Sequence, residues 1–335
     1  MRRFHLPALL SAALVAAAAP APAAPSRDSF DIVVLGARGG IEDGNLTSFL
    51  IRPRGDDGFL ACDAGTLTAG IEAADRRGAF ADVKPPPGAA TTRVGYILTE
   101  RVKGYLISHA HLDHVAGLIV ASPEDSKKPI YALASTHAKI AGSYFNHDAW
   151  ANFADTGAEP RLGKYHFVDL VPGEATPATG TAMSVTALPL AHGPVESTAF
   201  LLRSKDASML CFGDTGADRT EHAQRLHAVW SAVADDVRHH TLKAIVIEAS
   251  FPNSQPETAL FGHMTPKLLL EELHDLADQA GGPQALRGLP VVVSHIKYSF
   301  KAGERPQAVI RRELEAGNDL GVRFIIPEQG DRYRF

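Results

Sequence analysis

The six residues His109-Ala110-His111-Leu112-Asp113-His114 place four metal-ligand side chains in one short stretch, between two apolar runs. Imidazole nitrogens and carboxylate oxygens are the ligands that zinc-like ions take in catalytic sites, and one ion cannot use four ligands this close in sequence. Side chains alternate along an extended chain, so the first two histidines can bind one ion while the aspartate and last histidine face a second. Solvated or buried structural histidines are the alternative. With only 15 histidines among 335 residues, three in six positions are improbable by chance.

Four further ligand-type residues each follow an apolar, β-branched-rich run that is typical of a buried strand. They are His192, Asp214, Glu248 and His295. Such strands would bring their last residues to one rim of a sheet sandwich, where binding and catalytic residues gather. Each residue alone is weak evidence, because a histidine after a strand is more often structural. Together with the 109–114 cluster they complete a ligand set for two ions.

The stretch 109–123, HAHLDHVAGLIVASP, resembles the signature of the class II 3',5'-cyclic-nucleotide phosphodiesterases, a branch of the metallo-β-lactamase fold superfamily. The resemblance also covers VLGARGGIEDGNLTSFLI (34–51), CDAGTL (62–67), FGDTG (212–216), EASFPN (248–253), LFGHMTP (260–266) and SHIK (294–297). It implies an α/β fold, a metallo-β-lactamase-like αββα sandwich, and hydrolysis of cyclic AMP and/or cyclic GMP to 5'-monophosphates by a two-metal-bound hydroxide. Another hydrolase of the same fold, such as a lactonase, an esterase or a non-cyclic phosphodiesterase, is the alternative.

The resemblance also assigns the metal ligands. It gives His109, His111 and His192 to the first ion, Asp113, His114 and His295 to the second, and Asp214 to both. It implies two divalent ions, for which zinc is the expected metal, although manganese and iron also accept these ligands. Glu248 is expected to orient a ligand histidine by accepting its spare N–H, with a surface or capping position as the alternative.

His263 precedes a well-marked helix start, in which Thr265 is the predicted N-cap and Pro266 the first helical residue. A helix N-terminus can hold a phosphate, and the placement resembles that of a histidine in related phosphodiester-cleaving ribonucleases. His263 is therefore expected to contact the phosphate or act as a general acid, and it is predicted to be catalytic together with Asp113. Lys297 is predicted to neutralise the phosphate, with a solvated lysine as the alternative.

The segment 127–163 is rich in aromatic residues. It is expected to wall the substrate pocket and stack on a nucleobase, with Asn146 and Trp150 as the predicted substrate contacts. The alternative is that its aromatic side chains belong to the core, which is their usual place.

The composition fits an ordinary globular enzyme. The 33 Lys and Arg residues against 38 Asp and Glu residues give a net charge of −5, and no basic block follows the first residues. A nucleic-acid-binding protein would carry a basic face. The expected partner is therefore a small molecule, a cyclic nucleotide, and no nucleic acid.

Residues 1–24 contain two early arginines, an apolar run of about 14 residues and an Ala/Pro-rich end, as in a secretory signal peptide. This pattern predicts a secreted protein without stable membrane association, periplasmic if the source is Gram-negative. The remaining residues, 25–335, are expected to form a single catalytic domain, because the ligands are spread from His109 to His295.

Cys62 and Cys211 both lie in apolar, strand-like runs. Buried free thiols are the expected state, and a disulfide in an oxidising compartment is the alternative. Around the first cysteine the pattern predicts strands at 30–35, 47–52 and 59–62 and a helix at 67–77. The glycine-rich segment 36–44 lacks the glycine spacing of a dinucleotide fingerprint and is predicted to be a turn.

Overall fold

The computed structural model describes Met1, residues 29–303 and residues 305–335. Apart from Met1, the predicted signal peptide at 1–24 lies outside the described residues. No helix within the described part of the chain has the length and apolar character needed to cross a membrane.

The strands form two large sheets and one small one. In chain order they are β1 (Phe30–Gly36), β2 (Arg38–Gly39), β3 (Ser48–Pro53), β4 (Phe59–Cys62), β5 (Val102–Leu106), β6 (Lys128–Ala132), β7 (Tyr165–Asp169), β8 (Ala175–Pro177), β9 (Ser184–His192), β10 (Val195–Ser204), β11 (Ala207–Phe212), β12 (Leu242–Glu248), β13 (Pro290–Ser294), β14 (Ile296–Lys297), β15 (Arg323–Ile325) and β16 (Arg332–Arg334). The first sheet has the order β16-β1-β3-β4-β5-β6-β7, and the second has the order β15-β13-β12-β11-β10-β9-β8. β2 and β14 form the small sheet.

The helices are α1 (Thr68–Arg76), α2 (Arg93–Tyr96), α3 (Leu112–Ala121), α4 (Ala134–Ser143), α5 (Asp218–Glu221), α6 (Arg225–Arg238), α7 (Pro266–Gln279) and α8 (Pro306–Gly317). A π-helical turn spans Ile97–Arg101, and 3-10 turns span Glu257–Ala259 and Pro283–Leu286. α7 begins as predicted, with Pro266 in its first turn and the Thr265 side chain accepting a hydrogen bond from Leu268 N. Its buried Leu269, Leu273 and Leu276 recur at helical spacing, and each contributes about 2 kcal/mol by leaving water.

The core has three apolar layers, which correspond to the predicted αββα sandwich. In β11, Met209 and Cys211 point into the layer between the two large sheets, whereas Leu210 and Phe212 pack on the outer layer with α6, α7 and α8. The opposite outer layer packs α1, α3 and α4 on the first sheet. Because side chains alternate along a strand, each strand that is buried on both faces reads as an unbroken apolar run in the sequence.

The two cysteines correct one expectation. Cys62 at the end of β4 and Cys211 in β11 form a disulfide, so they are not free thiols. Both side chains belong to the layer between the sheets, where one strand of each sheet brings them together. The pairing depends on how two sheets align across 149 residues of sequence, which the local pattern around either cysteine does not contain.

The strand directions bring the candidate ligands to one edge. β4, β5, β6 and β7 are parallel in the first sheet, and β11, β12, β13 and β15 are parallel in the second. β9 runs in the same direction as β11, because both are antiparallel to β10. The segments that follow these strands therefore leave the sandwich at a common rim.

Candidate metal centre

The structure brings the seven predicted metal ligands together at this rim, in two groups that share Asp214. The first group is His109, His111, His192 and Asp214, and the second is Asp113, His114, Asp214 and His295. Within each group the candidate ligand atoms all lie within 4.8 Å of one another. The first sheet supplies the 109–114 stretch after β5, and the second sheet supplies the ligands after β9, β11 and β13. The centre is therefore built across both sheets.

Asp214 lies between the two groups with one carboxylate oxygen facing each. Its Oδ1 is 3.2 Å from His114 Nε2 and 3.1 Å from His295 Nε2. Its Oδ2 is 3.9 Å from His109 Nε2 and 3.8 Å from His192 Nε2. This arrangement is the one that a carboxylate bridging two adjacent ions requires.

Four of the histidines have their outward ring nitrogen fixed by an acceptor. His114 Nδ1 donates to Asp63 at 2.7 Å, and His192 Nδ1 donates to the Gly262 carbonyl at 2.8 Å. The Ser108 hydroxyl donates to Asp63, so it accepts from His109 Nδ1 at 3.0 Å. In the same way the Ser250 hydroxyl donates to Glu248 and accepts from His295 Nδ1 at 3.0 Å. A proton on Nδ1 leaves the lone pair on Nε2, which in all four rings faces the centre.

The imidazole nitrogens that face inward are placed to bind a divalent metal and not to hydrogen-bond with one another. His109 Nε2 is buried and has no hydrogen-bond partner. His114 Nε2 and His295 Nε2 are only 3.2 Å apart, and His192 Nε2 is 3.4 Å from His111 Nδ1. Nitrogen lone pairs that point at each other need a cation between them, because a buried acceptor without a donor is costly. The residues present therefore fit a nitrogen- and oxygen-ligated metal centre.

Burial and the nearby charges agree with this interpretation. Burial lowers the pKa of His109 and of His295, which favours the neutral imidazole that binds metals. Burial also opposes a charge on His114, yet Asp214 and Asp63 raise its pKa well above the usual value. The pKa of Asp214 is well below its usual range, because His114 and His295 outweigh the opposing effect of burial. The carboxylates of Asp63, Asp113 and Asp214 lie in or directly behind the centre, and they favour a bound cation.

Glu248 joins a second layer of contacts behind the ligands. Its carboxylate accepts from His263 Nδ1 at 2.9 Å and from the backbone N–H of Thr215 at 2.8 Å. Through the Ser250 hydroxyl it also reaches His295. Glu248 is buried at the end of β12, which excludes the surface or capping alternative.

Glu248 also sets the orientation of His263. With Nδ1 bonded to this carboxylate, the ring of His263 lies between His192 and His295, with ring centroids 4.7 Å and 5.2 Å away. Burial opposes a charge on His263, but Glu248 raises its pKa above the usual value. His263 therefore lies beside both ligand groups, although it belongs to neither of the two that the sequence predicts.

Two glycines allow the backbone to approach the ligands closely. A Cβ at Gly39 would lie 2.3 Å from the His295 ring, so only glycine fits between β2 and that histidine. The next residue, Gly40, donates its backbone N–H to Asp113 Oδ2 at 2.8 Å. The predicted glycine-rich turn thus contains the short strand β2 and forms one wall of the centre.

Lys297 lies on β14, beside β2 and within two residues of His295. A Cβ at Gly40 would be 3.7 Å from its ammonium nitrogen, and its positive charge contributes to lowering the pKa of His295. This half-buried lysine is therefore close enough to the centre to meet a negatively charged ligand there.

The two predicted substrate contacts of the aromatic segment, Asn146 and Trp150, make their hydrogen bonds away from the predicted metal ligands. The Trp150 indole donates to Ser122 Oγ at 3.0 Å, just beyond the end of α3 and about 13 Å along the helix from Asp113. Trp150 is thus not adjacent to the predicted metal ligands, and its role as a substrate contact stays a prediction. The Asn146 side chain closes its own turn by accepting from Asp148 N and Ala149 N.

Tyr144 is the member of this segment that reaches the ligand stretch. Its hydroxyl donates to the Ala110 carbonyl at 2.8 Å, between the first two histidines. Burial and the charge of Asp113 raise its pKa, so the hydroxyl stays protonated. Most of the other aromatic side chains of the segment, such as Phe145, belong to the core.

Sequence reasoning missed Asp63, Ser108, Ser250 and Tyr144. Asp63 follows β4 directly, so the strand-end pattern that identified the ligands would have identified it too. The two serines and the tyrosine carry no local signal. Their importance depends on which ring or carbonyl group the fold places beside them.

Comparison with known proteins agrees with the fold and the site. The sequence model of the family of class-II cAMP phosphodiesterases matches residues 30–330 of this chain. A 3',5'-cyclic-nucleotide phosphodiesterase of Aliivibrio fischeri is 49% identical over 308 residues, covering 92% of this chain and 93% of the relative.

Solved structures give the same result. The structure of unliganded yeast PDE1 aligns with a TM-score of 0.76 and 25% identity, covering 91% of this chain and 99% of that one. The metallo-β-lactamase fold protein YhfI of Bacillus subtilis aligns with a TM-score of 0.60 and 16% identity, covering 92% of this chain and all of that one (100%). The four-layer architecture is therefore the metallo-β-lactamase fold, and the chain belongs to the class-II cAMP phosphodiesterase family.

Proposed function

We propose that this protein hydrolyses 3',5'-cyclic nucleotides to 5'-monophosphates with the help of two divalent ions, for which zinc is the expected metal. The observation that carries the proposal is the pair of ligand groups that share Asp214, in a chain that belongs to a cyclic-nucleotide phosphodiesterase family. His109, His111 and His192 would hold one ion, Asp113, His114 and His295 would hold the other, and Asp214 would bridge them.

Two adjacent ions, when bound, supply an activated water and neutralise charge on the phosphoryl oxygens. The protein's own residues supply orientation. Asp113 is held by the Gly40 N–H, and the histidines are held by their outward hydrogen bonds, so little reorganisation is needed when substrate binds. Lys297 would contact the phosphate from the side of β14.

His263 is the proposed proton donor. Hydrolysis forms a new bond between phosphorus and a water oxygen and breaks the bond to the 3' oxygen, which must take up a proton. Glu248 holds His263 Nδ1 and leaves Nε2 to donate a hydrogen bond or a proton to the phosphate or the leaving oxygen. The attacking water loses one proton to solvent, and the imidazole loses one to the 3' oxygen. The products are a 5'-monophosphate with a free 3' hydroxyl, a released proton and a neutral imidazole, which takes up a proton again before the next turnover.

One assay tests this proposal. The purified protein, with its metal content measured, is given cyclic AMP, cyclic GMP, a 2',3'-cyclic nucleotide, a generic phosphodiester and a lactone. We expect 5'-monophosphates from the 3',5'-cyclic nucleotides only, and loss of turnover after chelation. Asp214→Asn should lose both metal and activity, whereas Asp75→Asn, which alters an exposed ion pair with Arg93, should lose neither. Full turnover by metal-free protein, or preference for another substrate class, would refute the proposal.

Export from the cytoplasm is part of the same proposal. The N-terminal sequence has the pattern of a signal peptide, and a disulfide such as Cys62–Cys211 is typical of proteins in oxidising compartments. An exported enzyme would act on cyclic nucleotides outside the cytoplasm. Determination of the mature N-terminus and cell fractionation test this part, and a full-length cytoplasmic protein would contradict it.

A further inference from the structure

Phe261 is an exposed aromatic residue at the tip of a tight turn beside the metal centre. The Leu260 carbonyl accepts a hydrogen bond from His263 N at 3.1 Å, and both central residues, Phe261 and Gly262, have positive φ angles of 55° and 80°. Two positive φ angles in succession are the signature of a type I′ turn, which favours Asn, Asp or Gly at both positions. Phenylalanine is therefore an unfavourable residue for this backbone.

The side chain of Phe261 gains no packing that would offset this strain. It is 76% exposed, and among the described residues it is the only apolar side chain with a φ in the left-handed region. A bulky residue in this region is a conformational outlier, and such strain persists at sites where the side chain has a function.

The turn is attached directly to the candidate site through the two residues that follow Phe261. The Gly262 carbonyl accepts a hydrogen bond from His192 Nδ1, and a Cβ at Gly262 would lie 2.7 Å from that ring. His263, the proposed proton donor, is two residues away, which places its Cα within about 7 Å of the Phe261 Cα. Phe261 therefore lies in the turn whose backbone contacts the His192 side chain and carries His263.

Three further exposed apolar side chains are next in sequence to residues of the polar centre. Ile41 follows Gly40, Leu112 lies between two predicted ligands, and Tyr298 follows Lys297; all three are exposed. Exposed apolar side chains that recur next to the residues of one polar site favour a ligand that itself has an apolar face. The phosphate and ribose of a cyclic nucleotide are polar, and its base is the part that offers such a face.

We infer that Phe261 binds the nucleobase of the substrate by stacking, and that this contact selects nucleoside cyclic phosphates over other phosphodiesters. The inference rests on the proposed function and adds the residue that recognises the base. In a 3',5'-cyclic nucleotide the phosphate ring is fused to the ribose, so a phosphate held at the metal centre leaves the base one sugar ring away from it. Every base has an aromatic face, so stacking alone accepts both cyclic AMP and cyclic GMP.

The test compares two variants on two substrates. Phe261→Asn removes the ring but places in the turn a residue that its backbone favours, and Phe261→Tyr keeps an aromatic ring. One substrate is cyclic AMP, and the other is methyl riboside 3',5'-cyclic phosphate, which has the sugar and cyclic phosphate but no base. We expect Phe261→Asn to raise KM for cyclic AMP by roughly fivefold to a hundredfold, as expected for one aromatic–base stack, with kcat within about twofold. KM for the base-free substrate should not change, and Phe261→Tyr should behave like the wild type.

The outcomes separate this inference from the proposed function. If the wild type does not hydrolyse cyclic AMP, the proposed function fails first. If the wild type is active and Phe261→Asn has an unchanged KM for cyclic AMP, or an equal loss on both substrates, the stacking role is wrong while the proposed function stands. The melting temperature of Phe261→Asn should be equal to or higher than that of the wild type, because the turn strain is relieved. A lower melting temperature would instead indicate a structural role for the ring.

Discussion

At the scale of single residues, Asp214 determines the electrostatics of the centre. Each of its oxygens faces a different pair of imidazoles, so it belongs to both ligand groups at once. Its backbone leaves β11 beside Gly213, where a Cβ would lie 2.2 Å from Ser108 of the other sheet. The short aspartate side chain on this tightly packed backbone lies between the two groups of imidazoles. The longer Glu248 lies behind the ligands and reaches His295 through the Ser250 hydroxyl.

His263 gives the sharpest prediction at this scale. Because it is not one of the seven predicted ligands, His263→Ala should keep its metal. It should lose kcat by about 10²-fold or more, which is typical for removal of a general acid or an oxyanion donor. Steady-state kinetics and metal analysis on the same sample measure both effects. His227→Ala, which removes an exposed histidine paired with Asp275, is the control.

Two results would contradict the role of His263. An unchanged kcat would remove it from the chemistry. Loss of metal together with activity would make it a ligand, in the third group of side chains that it forms with Asp214, Glu248 and His295.

The sequence predicted the metal ligands better than the residues that orient them by hydrogen bonds, and the reason is physical. His192, Asp214 and His295 each end or follow an apolar run, so the strand pattern marks them without knowledge of the fold. Ser250 becomes important only because the fold places it between Glu248 and His295. The same limit applies to Trp150: its aromatic character predicts a pocket contact, whereas its hydrogen bond to Ser122 depends on the packing of its loop and has no local signal in the sequence.

At the scale of elements, the two-residue strands β2 and β14 position one side of the centre. They pair Ile296 with Arg38 and Lys297 with Gly39, which brings the residues after His295 against the glycine-rich segment. His295 itself has a φ of 58°, so the chain turns sharply between β13 and β14. This turn points the imidazole towards Asp113 and Asp214.

Gly39→Ala tests this arrangement. Its Cβ would lie 2.3 Å from the His295 ring, and the ring would have to move. We expect weaker binding of the ion assigned to Asp113, His114 and His295, and a loss of kcat/KM of about tenfold or more, as for other changes that displace a metal ligand. Metal titration and kinetics measure the two effects. Gly142→Ala, where a Cβ meets nothing within 4 Å, is the matched control, and wild-type metal affinity in Gly39→Ala would contradict the argument.

The contact of α7 with α5 and α6 should make stability depend on pH. Glu272 on α7 accepts hydrogen bonds from Asp218 N at 2.9 Å and from Trp230 Nε1 at 3.3 Å. Burial raises the pKa of Glu272 to about 7, against an ordinary value of 4.5. The folded state therefore holds this proton more tightly than the unfolded state. The resulting stability is fully present below pH 4.5 and is lost as the pH rises through about 7.

Glu272→Gln should remove this dependence. Relative to the wild type, the variant should gain about 1 to 2 kcal/mol of unfolding free energy between pH 4.5 and pH 8, after allowance for the partial exposure of the carboxyl. Denaturant unfolding at several pH values measures the difference in slope. Glu271→Gln, which alters an exposed partner of Arg219, should run parallel to the wild type. Parallel curves for Glu272→Gln would show that its carboxyl is not perturbed.

At the scale of the whole molecule, the metal centre joins two sheets that are otherwise held together by apolar packing. The first sheet carries Asp63 and the 109–114 stretch, and the second carries His192, Asp214 and His295. The apolar runs predicted strands that end at one rim, and the family resemblance implied the αββα layers, but the alignment of one sheet on the other depends on the whole core. The relative position of the sheets therefore sets the distance between the two halves of the centre.

The disulfide fixes that relative position close to the centre. Cys62 directly precedes Asp63, which holds His114, and Cys211 lies three residues before Asp214. Its loop of 149 residues is long, so by the chain-entropy argument the bond restricts the unfolded chain strongly. Removal of both thiols by Cys62→Ala with Cys211→Ala should lower the free energy of unfolding by about 2 to 5 kcal/mol. The loss should show as a lower denaturant midpoint.

Reduction of the wild type provides the matched comparison. A thiol reductant should lower the unfolding midpoint of the wild type towards that of the double variant and leave the variant unchanged, since the variant has no cysteine to reduce. Because the same bond joins the two sheets that supply the ligands of each group, reduced wild type should also bind metal more weakly than oxidised wild type. Equal midpoints and equal metal affinity with and without reductant would mean that packing alone holds the sheets, and that the bond between Cys62 and Cys211 has no part in shaping the centre.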